Sequence, residues 1–190
     1  MRKLIALLCS LALCLAFVTA QAAPQMYTGA SGFMLTLPED WFIIIGSDEE
    51  FDDFDQDLAP GDIEALFSSS DEMMSVTILH PEDAPIEPYL VESVLGEPAM
   101  EARVGQLTGY QKQFYRYDDA NRRAFISYGM VDLDEGAPYV EYLVGFITGS
   151  DIAQYLTITV RADQLDARFN LISEIVSGID VGGVREGAEG

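Results

Sequence analysis

The sequence predicts an α+β domain built on a mainly antiparallel sheet, with helical cover on both faces. Three observations predict it. Four strand-like runs, Tyr110–Tyr117, Arg123–Val131, Tyr139–Thr148 and Ala153–Val160, follow one another with only turn residues between them. The third run is apolar on both sides: Tyr139, Leu143 and Ile147 alternate with Val140, Tyr142, Val144 and Phe146, so both of its faces need cover. After the fourth run, Leu165, Phe169, Ile172, Val176 and Ile179 recur at the three-to-four-residue spacing of a helix, with Asp163 in place to cap it.

The elements before the meander follow by the same reasoning. Gly32–Pro38 alternates apolar with small or polar residues and is stopped by proline; Glu39-Asp40 makes a turn into the apolar run Trp41–Ile45, so the two read as an opening hairpin after a polar lead-in. Phe51, Phe54 and Leu58 fall at helical spacing before the Pro60-Gly61 break. Ala65–Ser69 and Ser75–His80 read as strands joined through Asp71-Glu72. Pro88 suits the first turn of a helix carrying Tyr89, Leu90, Val91, Val94 and Leu95, which Gly96-Glu97-Pro98 would end. Residues 99–108 carry no clear pattern. That helix and the C-terminal one would cover the two faces of the sheet.

The first 22 residues have the three parts of a secretory signal. Arg2 and Lys3 are its basic start, Leu4–Val18 its apolar stretch, and Ala20-Gln21-Ala22 its small-x-small cleavage site. The expected products are a signal peptide at 1–22, one globular domain at 23–181 and a disordered tail at 182–190. The apolar stretch is shorter than the ~20 residues of a membrane-spanning helix. Both cysteines, Cys9 and Cys14, lie inside the leader, so the exported domain has no thiol chemistry. Leucine before each cysteine also argues against a lipid anchor. The expected location is periplasmic or extracellular.

Charge narrows the partners. The chain carries 10 Lys+Arg against 32 Asp+Glu, a formal charge of −22; loss of Arg2 and Lys3 takes the basic residues to 8 and the charge to −24. Such a balance disfavours nucleic acid and anionic membrane surfaces and favours cations and basic protein surfaces. The acids concentrate at Asp48, Glu49, Glu50, Asp52, Asp53, Asp55 and Asp57, which form the candidate contact surface.

Within the same segment Asp53, Asp55, Asp57 and Glu64 stand at positions 1, 3, 5 and 12 of a calcium-loop count. The count fails at position 6, where Leu58 replaces the glycine of the sharp turn, and at position 8, where Pro60 stands. No EF-hand is predicted, and looser, weak calcium binding by the Asp52–Glu64 carboxylates is the alternative to a protein-binding surface. No other cofactor is implied. A second alternative, a hydrolase with paired carboxylates, would need two acids across a cleft. His80 is the lone histidine and excludes multi-histidine sites. Tyr110, Tyr115, Tyr117, Tyr128, Tyr139, Tyr142 and Tyr155 fall on predicted strands, where packing is their expected role. The chain has no G-x-S-x-G elbow, Walker loop or dinucleotide glycine pattern, so no catalytic residue is predicted.

The opening Tyr27-Thr28-Gly29-Ala30-Ser31-Gly32-Phe33-Met34-Leu35-Thr36-Leu37-Pro38-Glu39-Asp40-Trp41 resembles the start of Mog1/PsbP-like domains, in which a Gly-Phe-x-Leu-x-x-Pro strand runs into a tryptophan-bearing one. The later order of strands, helix, meander and C-terminal helix is similar as well. The resemblance implies an α/β/α sandwich around an antiparallel sheet, and a group that includes exported bacterial proteins without assigned activity. A non-catalytic binding or accessory role is what it suggests; it carries no catalytic residue onto this chain and names no partner.

Overall fold

The computed structural model describes residues 24–44, 63–104, 111–131 and 138–182. The predicted signal peptide, the segment 45–62, residues 105–110 and 132–137, and residues 183–190 of the predicted tail lie outside them. Strands β1 (Gln25–Thr28) and β2 (Met34–Leu37) form a two-stranded sheet of their own. The main sheet holds β3 (Phe42–Ile44), β4 (Ile63–Ser68), β5 (Met74–Leu79), β6 (Gln111–Asp118), β7 (Arg123–Val131), β8 (Pro138–Ile147) and β9 (Ala153–Arg161). Their order is β3-β4-β5-β9-β8-β7-β6, and each pairing is antiparallel. Helices α1 (Val91–Leu95), α2 (Glu97–Val104) and α3 (Leu165–Ser177) complete the described elements.

The expected meander is β6 to β9, with the expected double-sided burial in β8. Val140, Tyr142, Val144 and Phe146 join a core closed by Phe33, Leu35 and Leu37 of the small hairpin and by Ile172 and Ile175 of α3. Leu143 and Ile147 join a second core with Ala124, Ile126 and Tyr155, closed by Val91 and Leu95 of α1 and Met100 and Val104 of α2. The fold is therefore an α+β, three-layer α/β/α sandwich, one of whose outer layers is a helix beside a β-hairpin.

Several sequence-based expectations are corrected. The strand ending at Pro38 does not pair with the one beginning after Trp41. β2 pairs back onto β1, Gln25 opposite Leu37, while β3 joins β4 in the main sheet. Trp41, 3% exposed, marks where the chain drops from one layer into the next. The "lead-in" is thus itself a strand, and Gly32, at φ +85°, supplies the left-handed position in the turn between β1 and β2.

The helix at Val91 ends at Gly96 as expected, but the chain resumes helix directly after it. Gly96 is extended, and a new helix starts at Glu97 with Pro98 in its tolerant first turn. α2 runs through 99–104, which carried no sequence signal because only Met100 and Val104 face inward. Tyr89 and Leu90, expected on an apolar helix face, precede α1 in a 3₁₀ turn and are exposed (80% and 41%). In α3, Phe169 points outward (59% exposed), and Asp163 is not the cap. A 3₁₀ turn, Ala162–Gln164, leads in, and the Asp163 carboxylate instead accepts hydrogen bonds from the Arg161 guanidinium (2.9 and 3.1 Å).

Helices and sheet approach closely at Gly145. A Cβ there would lie 2.7 Å from Leu95 Cδ2 and 3.1 Å from both Met100 Sδ and the Tyr155 ring, so the glycine sets the depth at which α1 and α2 seat. Gly145→Ala should therefore destabilise the fold by about 1–3 kcal/mol, lowering Tm by several degrees. Thermal melting checks this, and an unchanged Tm would show that the α1–α2 layer moves away freely.

Candidate functional site

Of the acids singled out in the sequence, Asp48, Glu49, Glu50, Asp52, Asp53, Asp55 and Asp57 lie outside the described residues. The described chain nevertheless fixes both ends of their segment. Ile44 of β3 stands opposite Leu66 of β4, and Ile63 stands opposite Leu79 of β5. β3 forms one edge of the main sheet and pairs with β4, and residues 45–62 join the two strands.

Glu64 is the one member of the calcium set within the described residues, and its placement follows from a break in register. β4 and β5 pair at Ile63↔Leu79 and resume at Ala65↔Ile78, leaving Glu64 as the extra residue of a bulge. A bulge re-aims a side chain, and Glu64 reaches the β1–β2 hairpin. Its Oε1 accepts hydrogen bonds from the Tyr27 hydroxyl (2.6 Å) and the Ala30 amide (2.7 Å). Beside it the Tyr27 ring meets Phe67 edge-on at 5.1 Å. Buried Ser31 and Gln154 form a further tie, Ser31 Oγ donating to Gln154 Oε1 (2.8 Å). Glu64 thus clamps the hairpin onto the sheet, a role with no trace in residue spacing.

The tyrosines are mainly structural. Tyr128 and Tyr155 are buried, and Tyr142 is nearly so. The hydroxyls of Tyr155 and Tyr115 donate to the carbonyls of Val94 (3.2 Å) and Leu95 (2.7 Å), the unsatisfied end of α1. Tyr128 donates to Glu141 within the sheet. Tyr117 is exposed, and Tyr110 lies outside the described residues. His80 is exposed at the end of β5.

Several described carboxylates are tied to basic side chains: Glu97 and Glu101 to Lys112, Asp151 to Arg122, Asp71 to Arg168 and Glu82 to Arg103. Exposed pairs of this kind add little stability each. Among the described residues no three His, Cys, Asp or Glu side chains gather as a metal-holding group.

Concavity occurs elsewhere. The proline-rich loop after β5 and the start of α1 enclose an open cavity of ≈ 340 Å³, walled by Pro85, Ile86, Leu90 and Val94 and rimmed by Glu82 and Asp83. Arg103, which holds Glu82, lies with its guanidinium carbon 3.7 Å from the centroid of the Tyr155 ring. Leu90 and Val94 read as helix residues, and the loop that completes the cavity, with Pro81, Pro85 and Pro88, shows no periodicity. Its signal was composition: apolar residues and prolines interleaved with acids.

No family model matches the chain, and no curated protein matches it. Among solved structures, cyanobacterial PsbP (CyanoP) from Synechocystis sp. is similar at 12% identity, covering 85% of this chain and 94% of that one, with a TM-score of 0.48. The Ran-binding protein Mog1p of Saccharomyces cerevisiae is similar at 12% identity, covering 83% and 95%, with a TM-score of 0.40. A structure from Bacteroides thetaiotaomicron is similar at 16% identity, covering 86% of this chain and 49% of that one, with a TM-score of 0.46. These are likenesses of architecture, to the kind of domain that the opening residues resemble.

The hairpin clamp has a pH signature. The Tyr27 hydroxyl is held above its ordinary value of 10.0, first by burial and then by its hydrogen bond to Glu64 and that carboxylate's charge. A raised pKa means that the folded chain resists losing this proton. The stability it contributes is complete below the unfolded value near 10 and drains away as pH rises above it. Tyr27→Phe should cost about 1–2 kcal/mol at neutral pH and lose stability less steeply than the wild type above pH ~10. Denaturant unfolding from neutral to alkaline pH checks this; parallel curves for the two proteins would contradict it.

Proposed function

We propose that this chain is an exported, non-catalytic accessory domain that binds a protein partner with a basic surface. Asp48, Glu49, Glu50, Asp52, Asp53, Asp55 and Asp57 form its principal contact. The observation that carries the reading is the concentration of charge in that segment. Seven of the ten residues 48–57 are acids, in a chain of formal charge −22, and the segment that holds them joins the edge strand β3 to β4. Concentrated negative charge steers a cationic partner toward the segment that carries it.

Several described polar side chains already serve the fold, which is in keeping with a binding role, although Glu64 keeps one buried oxygen, Oε2, without a hydrogen-bond partner among the described residues. Glu64 holds the hairpin, Tyr115 and Tyr155 hold the end of α1, and Glu82 is paired with Arg103. Export is read from the leader, and among the described residues no helix is long and apolar enough to cross a membrane. Replacing Asp52, Asp53, Asp55 and Asp57 together by Asn should weaken capture of the partner at least tenfold at low salt, with Tm essentially unchanged. For the wild type, capture should fall as salt is raised. Capture that survives the fourfold replacement would remove the segment from the contact.

A further inference from the structure

We infer that the cavity beside α1 is a second docking site, and that it takes a protein segment in which an aliphatic side chain stands next to an arginine or lysine. The inference shares with the function proposed above only the sign of the partner's charge, and it uses none of the acids at 48–57.

The loop that shapes the cavity is held rigidly. Backbone bonds join Glu82 N to Ala153 O (3.1 Å) and Ile86 N to Asp151 O (2.7 Å), pinning the loop to the β8–β9 turn. Leu90 N bonds to Glu87 O (2.8 Å) and Ser93 Oγ to Leu90 O (2.6 Å), fixing the entry to α1. On this fixed ledge Tyr89 is 80% exposed and Leu90 41% exposed. Neither is needed to close the core beneath, which Val91 and Leu95 fill. An apolar pair displayed on a rigid support, beside a cavity walled by Pro85, Ile86 and Val94, binds without the entropic cost of ordering a loop.

Charge selects the occupant. Asp83 lies on the rim and Glu87 on the same loop, and neither is in an ion pair among the described residues; Glu82 on the rim is matched by Arg103. The ledge therefore presents uncompensated negative charge around an apolar centre. That pattern complements an aliphatic anchor flanked by cations and repels an acidic segment, including another copy of this strongly acidic chain.

The test is a titration of the isotope-labelled exported chain, followed by two-dimensional NMR, with the probe peptide acetyl-Arg-Leu-Arg-amide and the control acetyl-Arg-Ser-Arg-amide. The leucine probe should shift the amides of Ile86, Leu90 and Val94 most and bind about five- to tenfold more tightly than the control, as expected for partial burial of one aliphatic side chain. Leu90→Ser should abolish that preference, and Asp83→Asn should weaken binding about two- to threefold, with the dispersion of the spectrum showing that both variants stay folded. Equal affinity for the two peptides, shifts spread over the surface, or variants that bind as the wild type does would overturn the inference. Concentration-dependent shifts at Leu90 without peptide would also overturn it, in favour of self-association. Shifts centred on residues 48–57 would overturn this site while leaving the proposed function standing. Loss of capture on changing 52, 53, 55 and 57 leaves the present titration unaffected.

Discussion

The main sheet is continuous only because β9 pairs on both sides. Its register runs from Met74↔Val160 to Ile78↔Leu156 against β5, and from Tyr139↔Arg161 to Ile147↔Ala153 against β8. Without it the molecule would divide into the β3–β5 hairpins and the β6–β8 meander, each with an unprotected edge. β9 is the last strand to be made, and its pairing with β5 closes a loop of about eighty residues. That closure is a large entropic cost, incurred before the core can repay it. The repayment is visible in the strand itself: Leu156, Ile158 and Val160 bury into one core while Ala153 and Tyr155 bury into the other.

The outer layers are fastened to this sheet by polar side chains at their ends as well as by apolar contact. Tyr115 and Tyr155 satisfy the last carbonyls of α1. Arg123 of β7 donates to the carbonyls of Val176 (3.3 Å) and Ile179 (2.5 Å), where α3 finishes. Glu64 receives the hairpin, and the Met34–Asp180 bridge ties β2 to the chain beyond α3. Each of these groups would be costly to leave unpaired when buried, so each fixes where its layer sits. The two sites proposed above, the acidic segment between β3 and β4 and the ledge at Tyr89 and Leu90, lie apart from these fastenings.

What could be read in the sequence was what depends on local pattern. The meander, the two-faced burial of β8 and the existence of α3 follow from periodicity, and periodicity survives in the fold because it measures burial directly. What could not be read was partner choice. β2 and β3 look like a hairpin because a turn separates them, yet they lie in different layers; the pattern of a strand does not record which strand it pairs with. The bulge at Glu64 shifts register by one residue and aims its carboxylate at the β1–β2 hairpin, which no spacing rule detects. Phe169, Tyr89 and Leu90 matched helical spacing but face solvent. A periodic position indicates that a side chain could be buried, and the neighbouring layer decides whether it is. The cavity went unseen because its walls come from a loop and from the first turns of a short helix.

The claim on which everything else rests is that β9 makes one cooperative body of the two halves. Native-state hydrogen exchange measures this directly. Amides of β5, β8 and β9 should exchange with a single common opening free energy, equal to that of global unfolding. Separate and lower free energies for the β3–β5 and β6–β8 groups would contradict it, and would make the molecule two loosely joined units.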